Sequence, residues 1–140
     1  MSTYPDTSVL VSLFVDDDFT LRARNFLRAY LPVLIISDFA SAEFASALGN
    51  RVRRRDMALS DARQAIADFD RWKVRDTTSD ALSTADVAEA SSILRRFDLV
   101  IRTPDTLHLA MARRVGAELV TFDERMADAA RMLGLAVTSI

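Results

Sequence analysis

Four acidic residues carry the chemistry of this chain: Asp6, Glu43, Asp105 and Asp123. Each falls where a strand ends or a helix begins. In an open parallel α/β sheet such ends lie along one rim, where ligands bind. Four carboxylates gathered without a cation repel one another and take up protons. A divalent metal removes that conflict, and carboxylate oxygens are the ligands that Mg²⁺ and Mn²⁺ prefer. Metals held in this way cut or make phosphodiester bonds. The pattern points to a metal-dependent nuclease.

Each acid also has a plainer role. Asp6, in Pro5-Asp6-Thr7-Ser8, and Asp123, after Leu119-Val120-Thr121-Phe122, suit helix N-caps. Asp105, next to Pro104, suits a first helical turn, where the dipole favours an acid. Glu43 reads as a helix-surface Glu, although no Lys or Arg partner stands at helical spacing toward Ala47. Thr7 and Ser8 suit caps first, and donors to a carboxylate or a metal-bound water second. His108, the only His, reads as a packed, hydrogen-bonded side chain rather than a ligand. The functional signal is joint: four acids at four junctions.

The elements that must position these residues alternate between two periods. Thr3–Asp6 reads as a strand and Ser8–Val15 as a helix, followed by a second helix, Phe19–Tyr30, stopped at Pro32. The apolar run Val33-Leu34-Ile35-Ile36 suits a strand covered on both faces. Ser37 caps a helix reaching Arg53. Ser60 caps another over Asp61–Trp72, with a short strand near Val74-Arg75-Asp76 and a polar loop over Thr77–Thr84. Thr84–Arg96 is helical. Thr103-Pro104 opens a helix with Pro at its first position, running to Val115 and stopped by Gly116. Glu118–Phe122 is a strand, Glu124–Leu133 a helix ended by Gly134, and Ala136–Thr138 a last strand. Such alternation defines an α/β domain with a parallel sheet and helices on both faces.

The chain has 140 residues, half of them hydrophobic and 27% charged, which fits one globular domain over 1–140. It has no cysteine, so disulfides and thiolate metal sites are excluded. The start has no signal-type segment and no apolar run is long enough to span a membrane, so a cytoplasmic protein is expected. The net charge is −2, which gives no global attraction to nucleic acid. Seventeen of the eighteen basic residues are Arg, the residue suited to bidentate phosphate contact. Arg51, Arg53, Arg54 and Arg55 cluster at one helix end, either gripping phosphates or complementing the helix dipole.

Four segments together resemble PIN-domain proteins, particularly the VapC-type toxins of toxin–antitoxin pairs. They are Pro5-Asp6-Thr7-Ser8-Val9-Leu10, Ser37-Asp38-Phe39-Ala40-Ser41-Ala42-Glu43-Phe44, Arg102-Thr103-Pro104-Asp105-Thr106-Leu107-His108-Leu109-Ala110 and Val120-Thr121-Phe122-Asp123-Glu124-Arg125-Met126. The resemblance implies a three-layer α/β/α fold with a five-stranded parallel sheet ordered 3-2-1-4-5. It implies a Mg²⁺- or Mn²⁺-dependent endoribonuclease in which Asp6, Glu43, Asp105 and Asp123 form the catalytic and metal-binding site and metal-activated water cleaves RNA, tRNA or rRNA. It also implies a homodimer and a cognate antitoxin. A haloacid-dehalogenase-type phosphatase wants a second Asp where Ser8 stands, and a CheY-like receiver wants a late Lys, whereas the one Lys is Lys73. A non-catalytic RNA-binding module and a role in RNA processing stay open as alternatives.

Overall fold

The structure, a computed structural model, describes residues 1–140. Five short strands form one parallel sheet in the order β3-β2-β1-β4-β5. The strands are β1 (Ser2–Pro5), β2 (Val33–Ser37), β3 (Thr78–Asp80), β4 (Glu118–Thr121) and β5 (Val137–Ser139). Seven helices connect them: α1 (Thr7–Phe14), α2 (Thr20–Tyr30), α3 (Asp38–Arg53), α4 (Leu59–Asp76), α5 (Thr84–Leu94), α6 (Thr103–Arg114) and α7 (Glu124–Met132). The order and the all-parallel pairing are those expected from the alternation and the resemblance. Register places Tyr4 opposite Leu119 and Thr3 opposite Leu34, so β1 is central.

Apolar side chains cover both faces of the sheet. On one side Leu10, Ile36, Phe44, Leu48 and Phe69 form a core between β2 and helices α1, α3 and α4. Phe44 and Phe69 stack with ring centroids 4.4 Å apart, and such pairs add roughly 0.5–1.5 kcal/mol beyond their buried area. On the other side Tyr4, Leu109, Met111, Leu119 and Met126 join β1 and β4 to α6 and α7. These two cores hold the C-terminal ends of β1 and β4, and the starts of α6 and α7, in fixed relation.

Several boundaries differ from the sequence reading. The first strand ends at Pro5, where the missing N–H costs least, and Asp6 is the N-cap of α1. Helix α4 begins at Leu59 with Ala58 as N-cap, not Ser60, and runs to Asp76. The expected strand at Val74–Asp76 is therefore the last turn of α4. The strand lies instead at Thr78–Asp80, within the stretch read as a polar loop. It is a sheet edge with little burial, so no apolar alternation marks it. Pro104 is the second residue of α6 rather than the first. Gly116 and Gly134 do end their helices, each with positive φ.

Candidate active site

Asp6 sits at the C-terminal end of the central strand, 3% exposed. Its backbone N–H continues the sheet by donating to the Val120 carbonyl at 3.0 Å. Its Oδ1 accepts from Val9 N–H at 3.2 Å, capping α1, and from Ser8 Oγ at 2.6 Å. Its Oδ2 accepts from Thr121 Oγ1 at 2.6 Å. Burial pushes its carboxyl above the usual range, against the hydrogen bonds from Ser8, Thr121 and Val9 and the field of His108. A carboxylate in this state gains most from a nearby cation.

Thr121 joins Asp6 to the second acid, because its Oγ1 also accepts the Asp123 N–H at 2.9 Å. Asp123 caps α7 with Oδ1, which accepts from the N–H groups of Arg125 and Met126 at 2.8 and 3.1 Å. Its Oδ2 makes no hydrogen bond within the protein. The capping role and the site role thus coexist, since capping occupies only one oxygen.

Glu43, half-buried on α3, is gripped at Oε2 by two donors. Thr7 Oγ1 donates at 2.7 Å and His108 Nε2 at 2.5 Å. Burial opposes ionisation of Glu43, but these bonds and the charges of His108 and Arg102 outweigh it and hold its carboxyl below the usual range. Oε1 stays free. His108, 2% exposed, is fixed behind the carboxylate by Tyr4, whose hydroxyl lies 2.9 Å from Nδ1 and 2.8 Å from Ser37 Oγ. A carboxylate accepts only, so Nε2 is the donor of the pair. Asp105, one helical turn before His108 on α6, contacts Arg102 Nε through Oδ2 at 3.4 Å. Its Oδ1 has no protein partner.

The structure thus ties Asp6 to Asp123 through Thr121, and sets Glu43 against the α6 helix that carries Asp105. Asp105 and Asp123 line one cavity. No three of these carboxylates and His108 lie close enough together to form a ready metal-ligating group. The donor set nevertheless fits a hard cation: it is all oxygen, and three of the four acids keep an oxygen free. The sequence reading missed Tyr4 and did not weigh Arg102 and Arg125. It took Thr7 and Ser8 chiefly as caps, and both bond to site carboxylates instead.

A parallel sheet ordered 3-2-1-4-5, with acids at the ends of β1 and β4, agrees with the comparison to known families. The PIN domain model matches residues 3–132, and the chain belongs to the PIN-domain family. It is 34% identical over 137 residues to Ribonuclease VapC46 of Mycobacterium tuberculosis, covering 96% of this chain and 94% of that protein. Among solved structures it is similar to the sarcin–ricin loop cleaving toxin VapC20 of Mycobacterium tuberculosis, with TM-score 0.74, 18% identity, and coverage of 91% of this chain and 95% of that one. It is also similar to a chain of a toxin–antitoxin complex from Klebsiella pneumoniae, with TM-score 0.65, 20% identity, and coverage of 99% and 97%. These two likenesses concern the fold.

Proposed function

We propose that the protein is a metal-dependent endoribonuclease, the toxin of a toxin–antitoxin pair, with Asp6, Glu43, Asp105 and Asp123 as its acidic site. The observation that carries this reading is the buried Asp6 at the end of the central strand, hydrogen-bonded through Thr121 to the backbone of a second acid whose outer oxygen is free. Similarity to a ribonuclease over most of both chains supports it. The oxygen donors of the four acids suit Mg²⁺ or Mn²⁺. Bound there, the cation supplies Lewis acidity that makes water more acidic and offsets charge on the phosphate.

The chain's own residues hold the donors in place. Ser8 and Thr121 fix the two oxygens of Asp6, while Thr7 and His108 fix Oε2 of Glu43. Tyr4 keeps His108 from turning away. Attack by water forms one P–O bond and breaks the bond to the 3′ oxygen, which leaves with a proton. The products are a 5′-phosphate and a 3′-hydroxyl. The alternative attack by the 2′-hydroxyl needs an acid–base pair, and His108 is committed to Tyr4 and Glu43. The RNA is of the tRNA or rRNA class, and the protein partner is a cognate antitoxin.

End-group analysis tests the reading. Fragments from digested RNA are expected to ligate through their 5′ ends without prior phosphorylation. Fragments ending in 2′,3′-cyclic phosphate contradict the mechanism.

A further inference from the structure

A cavity of about 610 Å³ opens between the starts of α6 and α7. Its charged lining is two acids, Asp105 and Asp123, and two arginines, Arg102 and Arg125, over apolar groups that include Ile101 and Met126. Neither arginine is placed there by its helix. Arg102 is the N-cap of α6 and makes no side-chain cap, and Arg125 lies in the first turn of α7. Helix N-termini disfavour cations. Ion pairing does not place them either. Arg125 forms no ion pair. Arg102 meets only Asp105, at 3.4 Å, with its side chain 82% exposed.

In the basic run at the end of α3, Arg51 and Arg53 are different, while Arg54 and Arg55, like Arg125, form no ion pair. Arg51 pairs with Asp17 at 3.6 Å and Arg53 donates to Asn50 at 2.5 Å. Both lie in the last turn of α3, where cations complement the dipole. That placement accounts for them without a ligand.

A chain of net charge −2 with an acidic site repels a polyanion, so attraction must come from cations set at the site itself. We propose that Arg102 and Arg125 grip the phosphates flanking the scissile one, seating a single RNA strand across this cavity. The inference rests on the nuclease reading and names the substrate contacts of that same site. Guanidinium groups match phosphate oxygens in bidentate geometry. Both arginines and both acids line this one cavity, so a strand held by the arginines lies against the acids.

The test is the salt dependence of binding to a fluorescein-labelled, random-sequence single-stranded oligoribonucleotide. Anisotropy is measured in EDTA across a KCl series, in an Asp6→Asn background so that the strand stays intact. Arg102→Gln, Arg125→Gln and their combination are compared with Arg54→Gln/Arg55→Gln, which removes the same charge elsewhere. The slope of log affinity against log salt is expected to shrink by about 0.7 for each site arginine removed, and to hold in the control. In the otherwise unaltered protein, KM for RNA cleavage rises more than kcat falls. Unchanged slopes, or an equal loss in the control, overturn the arginine assignment while cleavage by the parent protein upholds the nuclease reading. A parent protein that neither cleaves nor binds RNA overturns the nuclease reading, and this assignment with it.

Discussion

Thr121 Oγ1 donates a 2.6 Å hydrogen bond to Oδ2 of Asp6, across 115 residues of sequence. The same oxygen accepts the Asp123 N–H, so one hydroxyl orients two of the four acids. Thr121→Val keeps the shape and removes both bonds. It is expected to cost about 1–3 kcal/mol, the range for leaving buried polar groups unpaired. Thr121→Ser restores most of that loss. Urea denaturation measures both variants, and a Val variant as stable as the parent contradicts the link.

Asp6 makes the metal-free protein sensitive to pH in a defined direction. Burial raises its carboxyl in the folded state, so the folded protein holds that proton more tightly than the unfolded chain. Stability therefore falls as pH rises from the unfolded value near 3.8 through the raised folded value. Asp6→Asn removes this contribution. In EDTA, the stability of the variant relative to the parent is expected to grow with rising pH over that window and then level off. A relative stability that declines with pH contradicts the assignment. Added Mn²⁺ is expected to stabilise the parent and not the variant, through linkage to binding.

The Tyr4–His108–Glu43 chain positions a carboxylate rather than transferring protons. Outer partners of metal ligands typically contribute 10–100-fold in affinity or activity. His108→Ala is expected to lower Mn²⁺ affinity by roughly that factor, and Tyr4→Phe by less, because His108 keeps its bond to Glu43. A Mn²⁺ titration of each variant decides. Equal affinity in His108→Ala and the parent removes His108 from the site.

Arg114 bonds to Asp86 at 2.7 Å and to Asp80, tying β3 and α5 to the last turn of α6. Asp86 is 1% exposed and also completes a capping box with Ser83. Arg114→Met leaves that carboxylate without its cation. The expected cost is about 2–3 kcal/mol, below that of a fully buried pair because the guanidinium is partly in solvent. Divalent affinity is expected to stay the same, which separates loss of stability from loss of the site. A drop in affinity equal to that of His108→Ala contradicts the division.

Much of this was legible in the residue pattern, for physical reasons. The run at Val33–Ile36 and the alternation around it marked the buried strands, and Gly116 and Gly134 marked helix ends because both take positive φ. Asp6, Asp105 and Asp123 stood out because capping, the helix dipole and cation binding all place acids at junctions, whereas Glu43 lies in the second turn of α3, away from any junction. The polar edge strand Thr78–Asp80 carries no apolar signature, so it passed for a loop. The groups that hold the acids were hidden in part because they come from distant sequence. His108 reaches Glu43 over 65 residues and Thr7 reaches it over 36. Tyr4, in the short strand Ser2–Pro5, gave no hint that its hydroxyl closes a buried polar chain.

The central claim is that the four acids form a cation-dependent RNA-cutting site centred on Asp6. The most direct measurement is cleavage of total RNA by the purified, partner-free protein with Mg²⁺, with Mn²⁺ and with EDTA, beside Asp6→Asn. The account predicts discrete fragments with either cation and none with EDTA. It predicts that Asp6→Asn cuts more slowly by a factor larger than the roughly 100-fold cost of losing an outer partner. Cleavage that persists in EDTA, or full activity in Asp6→Asn, would contradict it.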